Sequence, residues 1–420
     1  MSCAADGDPD ALSPDAARAR ILAALQPLAG HERVPLRAAL ARVLDEDAVA
    51  TRPVPGHANS AMDGYALRSA DVATAAAVTL RVLGTALAGH PYPGAVTPGG
   101  AVRIMTGAVL PAGADAVVMQ EEVLATDVAD TPGGGIRLHG PLAAGLNCRL
   151  AGEDIAPGQR PLRAGRRLTA MDLGIAASLG LPELTVRRRP RVAFFSTGDE
   201  LRPLGEPLAP GECHDSNRYM VQGLLTHWGA EALDLGVVRD DDAALAAALR
   251  TASAMADVVL TTGGVSVGQA DRIRAVLGTV GEIHLWRVAM KPGRPLAFGQ
   301  IGAAYFFGLP GNPVSAAVTL LQFVQPALRC LQGEAPRPPL TVPAVLRHGV
   351  RKRPGRVEFQ RGVLAQEADG SLSVAPTGPQ GSGILSSLAE ADCLICLGAG
   401  QGDVAAGAVV PVQPFFGLLG

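Results

Sequence analysis

The residues best suited to chemistry lie between Asp257 and Asp271, in the stretch DVVLTTGGVSVGQAD. Thr261, Thr262, Gly263 and Gly264 follow a short apolar run, and Val265, Ser266, Val267 and Gly268 lead on to Asp271. A buried strand that ends in hydroxyls and glycines turns with its backbone N–H groups uncovered, which is how α/β proteins hold phosphates. Asp271 stands where a following helix opens, where a carboxylate either caps the helix or faces a metal ion. A plain strand-to-helix turn accounts for the glycines alone equally well. The best-placed cations are Lys291 and Arg294 of MKPGRP, with Arg287 just upstream; Pro292, Gly293 and Pro295 make that backbone irregular and fix their positions. The acidic residues Asp63, Asp154, Glu200, Asp240 and Asp271 are too dispersed for a local metal motif. Gathered at one cleft with phosphates, a few such carboxylates make the kind of site that holds Mg²⁺. Cations, glycine turns and carboxylates together point to a phosphorylated small molecule and metal-assisted phosphoryl or nucleotidyl chemistry. Neither G-x-x-x-x-G-K-[ST] nor G-x-G-x-x-G occurs, so a P-loop enzyme and an ordinary dinucleotide enzyme find no support.

These residues need elements to hold them. From Arg187 onward the pattern alternates strand and helix: RVAFFSTG, a helix capped by Asp215 or Ser216, EALDLGVV, a helix from DDAALAAAL, the central strand, a helix from Asp271, and AYFFGLPGN before a helix near Pro313. This predicts a parallel, doubly wound sheet whose strand ends share one crevice. Ser196, Thr197, Glu200, Asp240, Thr261 to Ser266 and Asn312 then converge. Upstream, Ser13 and Pro14 predict a helix start, AALARV (38–43) a second short helix, and Thr169 the N-cap of a third. The loop 51–67 carries His57, Asn59, Ser60, Asp63 and Tyr65, more polar side chains than a linker needs. Strand patterns from Ala76 to about Gly140 predict an inserted β domain, and those after Arg337 a small sandwich or barrel. Arg356 beside Glu358, and the turn Thr377 to Gly383 around Ser382, are its candidate functional features; a hairpin turn explains the latter equally well.

The expected organisation is an α/β multidomain chain. Residues 13–50 and 145–186 form a composite N-terminal domain, 51–144 its β insertion, 187–333 the doubly wound domain, and 337–417 the C-terminal β-barrel or sandwich. With 48% apolar and 18% charged residues the chain is globular, and 36 basic against 39 acidic residues argue against non-specific nucleic-acid binding. No apolar run reaches the ~18 residues of a membrane span. The N-terminus lacks the features of a signal peptide, so a cytoplasmic protein is expected. Cys393 and Cys396 form a C-x-x-C inside CLICL without a second pair, and are read as core residues rather than zinc ligands.

Taken together, NSAMDGYAL, RIMTGA, GADAVVMQEE, GEDI, STGDEL, TTGGVSVGQAD, MKPGRPLAFG and GLPGNPVSA closely resemble the molybdopterin molybdenumtransferases of the MoeA type, and the E domain of gephyrin, over residues 13 to 417. NSAMDGYA with GLPGNPVSA separates this family from adenylyltransferases that share TTGGVSVG. The resemblance implies homodimers that take adenylylated molybdopterin and molybdate, use Mg²⁺, and release AMP and molybdenum cofactor. By motif, Asp63 and Thr106 come from the partner's side of the cleft, while Glu200, Asp240 and Asp271 lie near metal or nucleotide. Thr262, Gly263, Gly264, Ser266 and Gly268, with Pro310, Asn312 and Pro313, fall to substrate binding, and Lys291, Arg294, Arg356 and Ser382 to the molybdate site. Transient contact with a separate adenylyltransferase and with molybdoenzymes is implied as well, since no adenylyltransferase domain is present. Members often carry Lys where this chain has Arg287 and Arg294, which replaces a point charge by a planar fork. Two alternatives remain: an adenylyltransferase acting on molybdopterin, and a scaffold that only binds.

Overall fold

The computed structural model describes residues 11–74, 76–125, 133–263, 276, 278–334 and 337–416. Its centre is a six-stranded sheet in the order Glu231–Val238, Arg191–Thr197, Val258–Thr262, Ala304–Leu309, Pro295–Ile301, Glu282–Arg287. The first four strands are parallel. The last two are antiparallel, so the sheet is mixed where the sequence pattern predicts a wholly parallel one. The cause is local: Pro295–Ile301 returns to Ala304–Leu309 through a tight turn at Gly302, with no crossover helix between them.

Alternation along Arg191–Thr197 builds two cores. Val192 and Phe194 face Val221, Leu224 and Leu225 of the helix Ser216–His227. Ala193 and Phe195 face Leu245, Leu249 and Ala252 of the helix Asp242–Met255. With both faces covered, all five residues of Val258–Thr262 are buried, which explains their unbroken apolar and β-branched character. The stretch Pro313–Leu331 is the one helix among the described residues long and apolar enough to cross a membrane, and 83% of it is buried in the core. Its middle, Leu320–Val324, is a π turn. Pro326 follows two residues later; its missing N–H and its ring disturb the helical ladder at the carbonyls one turn before it.

Ser13 caps the helix Pro14–Ala24 by accepting from the Ala16 N–H, and Thr169 and Asp172 cap Ala170–Ser178 reciprocally. The expected helix over 38–43 is absent. A 3₁₀ turn, Leu36–Ala38, stands there, and Val43 and Leu44 bridge to Arg167 and Val186, because burying Ala39, Val43 and Leu44 in this small core needs extended backbone. His31–Pro35 pairs with Glu183–Arg187, joining the two flanks of the inserted β region. That region is a second six-stranded sheet, from Gly64–Leu67 to Gly135–His139.

The C-terminal strands Val357–Gln366, Leu372–Pro376, Val342–Leu346, Val409–Pro414 and Cys393–Leu397 follow one another, and the last pairs back onto the first, closing a five-stranded barrel. Met290–Lys291, expected in an irregular loop of the sheet region, instead forms a short strand parallel to Val357–Glu358. Cys393 is fully buried in the barrel, and burial pushes the thiols of Cys393 and Cys396 up to about 12. Among the described residues no cluster of His, Cys, Asp or Glu suits a metal ion.

Candidate active site

The strand ends do share a crevice. A cavity of about 410 Å³ is lined by Thr197, Glu200, Thr262, Gly263, Gly311, Asn312 and Pro313, with Leu201 and residues 213–217 at its side. It lies at the carboxyl ends of Arg191–Thr197, Val258–Thr262 and Ala304–Leu309, where parallel sheets bind ligands. Gly263 has φ +88°, and a Cβ there would stand 2.5 Å from the Thr197 carbonyl oxygen, so only glycine keeps this turn. Ser196 and Thr262 bond each other through their hydroxyls at 2.8 Å, tying two strand ends together below the cavity. Pro310 is buried just behind it. Gly264, Ser266, Gly268 and Asp271 lie outside the described residues.

Of the expected metal ligands, Glu200 is exposed at the cavity. Asp240 follows the strand Glu231–Val238, and its N–H donates to Asp199 Oδ1 at 3.3 Å. Asp154 is exposed, its N–H bonded to the Val54 carbonyl. Magnesium takes one or two carboxylates and completes its shell with water and phosphate oxygens. Glu200 and Asp240 therefore fit that ion only when a phosphorylated ligand supplies the remaining oxygens.

Asp63 and Thr106 meet on the inserted sheet. The Thr106 N–H and hydroxyl both donate to Asp63 Oδ1 at 2.7 Å. The N–H bond first, then the hydroxyl, hold the Asp63 carboxyl below its ordinary value, burial opposing and Arg103 assisting.

Two of the four expected oxyanion ligands line one cavity. Lys291 and Arg356 line a cavity of about 680 Å³, shared with Arg351, Lys352, Arg353, Glu358 and Asp403. Five cations therefore face two carboxylates. Glu358 is buried and tied, accepting from Lys291 Nζ at 3.3 Å and from Gln360 Nε2 at 3.1 Å. Lys352 is buried too, its Nζ donating to the carbonyls of Arg353, Ala399 and Gln401. Burial lowers its pKa, Glu358 raises it, and Lys291 lowers it further. Ser382 lies elsewhere: its carbonyl accepts from the Val314 N–H at the start of the Pro313–Thr319 helix, beside the strand-end cavity. Arg294 is half-buried, its carbonyl accepting from Val288 N–H.

Sequence reasoning passed over Arg361. It is 1% exposed, and its guanidinium donates to Ser387 Oγ and to the carbonyls of Pro379, Gln380 and Gly381. It thus holds the turn that carries Ser382. The signal was present: Arg361 falls on the same strand face as Val357 and Phe359, where alternation calls for an apolar residue.

Three family models match this chain in succession. Residues 12–180 match the family model "MoeA N-terminal region (domain I and II)", residues 193–330 "Probable molybdopterin binding domain", and residues 343–415 "MoeA C-terminal region (domain IV)". A molybdopterin molybdenumtransferase of Haemophilus influenzae is 41% identical over 97% of this chain and 100% of its own length. One from Nostoc is 37% identical, over 90% and 87% respectively. The crystal structure of a molybdopterin biosynthesis moeA protein from Pyrococcus horikoshii superposes with TM-score 0.83 at 29% identity, covering 96% of this chain and 100% of that one.

Proposed function

The chain belongs to the MoeA family, whose curated members are named molybdopterin molybdenumtransferases, and from that premise we propose that it inserts molybdenum from molybdate into adenylylated molybdopterin and releases AMP. The observation that carries the reading is the pairing of two unlike cavities: a glycine-floored one at the strand ends, and one crowded with cations at Lys291 and Arg356. The first has a glycine floor that a phosphate ester can approach closely, and the second has the cations to suit a tetrahedral dianion. Thr262 and Gly263 would cradle the phosphates, and Asn312 and Pro313 would close the same wall. Lys291 and Arg356 would hold molybdate, with Arg294 nearby, and Ser382 would reach the substrate from the turn that Arg361 fixes. Mg²⁺, held by Glu200, Asp240 and Asp271 together with pyrophosphate oxygens, would neutralise charge on the bond being broken. In a homodimer, Asp63 and Thr106 of the partner subunit would complete the cleft. A separate chain would supply the adenylylated substrate.

The test is AMP release from adenylylated molybdopterin with Mg²⁺, with and without molybdate. Release that depends on molybdate supports the reading. Tight binding of substrate without release would leave a binding scaffold, and ATP consumption with molybdopterin would mark an adenylyltransferase.

A further inference from the structure

Three residues at the strand-end cavity have no part in the chemistry above. Thr197, Asp215 and Asn217 are 7%, 4% and 7% exposed, and all three line the cavity. Each keeps a buried polar atom without a hydrogen-bond partner: Thr197 Oγ1, Asp215 Oδ2 and Asn217 Oδ1. Roughly nine in ten buried polar atoms in folded proteins are paired, so three orphans around one cavity are a signal that a ligand completes them.

Their chemistry says what kind of ligand. The Gly311 carbonyl can only accept, so Asn217 Nδ2 must face it, at 2.7 Å, which turns Oδ1 away as a free acceptor. Asp215 uses Oδ1 to cap its helix at Arg218 N–H, 3.1 Å away. Its Oδ2 is 3.9 Å from Arg218 Nε, too far for a hydrogen bond. Ser196, the neighbour of Thr197, is paired with Thr262, and Thr197 Oγ1 is not. A carboxylate oxygen and an amide oxygen accept only, and the Thr197 hydroxyl can accept beside them, so this side of the cavity suits an edge of N–H donors. Gly263 and Gly311 line the same cavity and offer backbone without side chains, which lets a flat ring approach closely.

Within the substrate proposed above, the amino-oxo edge of the pterin presents two adjacent donors, a ring N–H and the exocyclic amine. Adenine presents one amine beside an acceptor. We propose that Thr197, Asp215 and Asn217 form an acceptor recess that binds the amino-oxo edge of the pterin ring; the assignment rests on the substrate reading of the preceding section.

Two fluorescent rings test it on the full chain: pterin, and lumazine, which has a carbonyl in place of the exocyclic amine. The recess requires pterin to bind at least about tenfold tighter than lumazine, because a site built around a donor leaves its acceptors unpaired against the analogue. Thr197→Val separates recognition from structure. Removing an unpaired buried hydroxyl leaves the free chain as stable as before or more so. The same change should weaken pterin about five- to tenfold and leave lumazine nearly unchanged. Equal binding of both rings, no binding of either, displacement of pterin by AMP, or unchanged affinity in Thr197→Val would each overturn the recess. Ring discrimination is a binding signal, so it is read independently of AMP release. Release without discrimination removes the recess alone, and discrimination without release removes the catalytic reading alone.

Discussion

The two cavities are built in opposite ways. The strand-end cavity draws on five separate stretches of chain, and several of its polar groups are buried and fixed by neighbours. The basic cavity takes most of its lining from one run, residues 351–358, with Arg351 and Arg353 exposed. Geometry makes the first site and field makes the second. A displaced atom should therefore ruin one, and a lost charge should weaken the other by degrees.

The largest expected effect is on the geometric side. Gly263→Ala forces a Cβ to within 2.5 Å of the Thr197 carbonyl at a positive φ. It should destabilise the chain by about 2 kcal/mol and abolish binding of adenylylated molybdopterin, read by thermal melting and by substrate titration. Retained binding would show that the turn is not the phosphate cradle. Arg361→Ala comes next. It strips the donors from three carbonyls and the Ser387 hydroxyl, and unfolding should become easier by about 3 kcal/mol, with AMP release lost alongside. Arg361→Lys should recover part of the stability and little of the activity, because one ammonium cannot serve the fan of acceptors.

Effects on the field side should be graded. Lys291→Ala should raise the molybdate KM of AMP release about 10- to 100-fold, the range of a charge-assisted contact, with kcat less affected. Arg351→Ala and Arg353→Ala should each raise it only about two- to threefold, and the difference should vanish at 0.5 M salt, where the Debye length is about 4 Å. A salt-independent loss would make these arginines direct ligands instead. The smallest effect concerns pH. The Thr106 bonds hold the Asp63 pKa below its ordinary value, so the tie is complete above that ordinary value and is lost only as pH falls through the lower one. A carboxyl NMR titration should show Asp63 ionised throughout the neutral range, and Thr106→Val should move its midpoint upward.

Much of the geometric site was legible because strand ends carry their chemistry in sequence. Thr262, Gly263, Glu200, Asn312 and Pro313 stand directly after apolar runs, and parallel topology brings them to one cavity. The field site was less so. Lys291, Arg294, Arg356 and Ser382 were grouped only through the family resemblance, because a sequence shows charge and not the side of a barrel that the charge occupies. Ser382 turned out to sit against Val314, and Arg351, Lys352 and Arg353, which sequence reasoning did not single out, line the same cavity as Lys291. Short-range signals held at Ser13 and Thr169 and failed at 38–43, where alanine propensity yielded to the burial of Ala39, Val43 and Leu44. Asn217 and Asp215 read only as a helix start; their orphaned oxygens exist only in three dimensions.

The short strand Met290–Lys291 runs beside Val357–Glu358, so a segment of the sheet region is also an outer rib of the barrel. The Val357 N–H donates to the Ala289 carbonyl, and Lys291 stands opposite Glu358 in register. A chain cut after residue 333 would lose the counter-charge of Lys291, and a separately produced barrel would expose an unpaired rim at Val357 and Glu358. The C-terminal piece is therefore not a detachable module. Gene fusions, domain exchanges and fragment complementation should respect this seam, and any variant that discards the barrel must also rebuild the surroundings of Lys291.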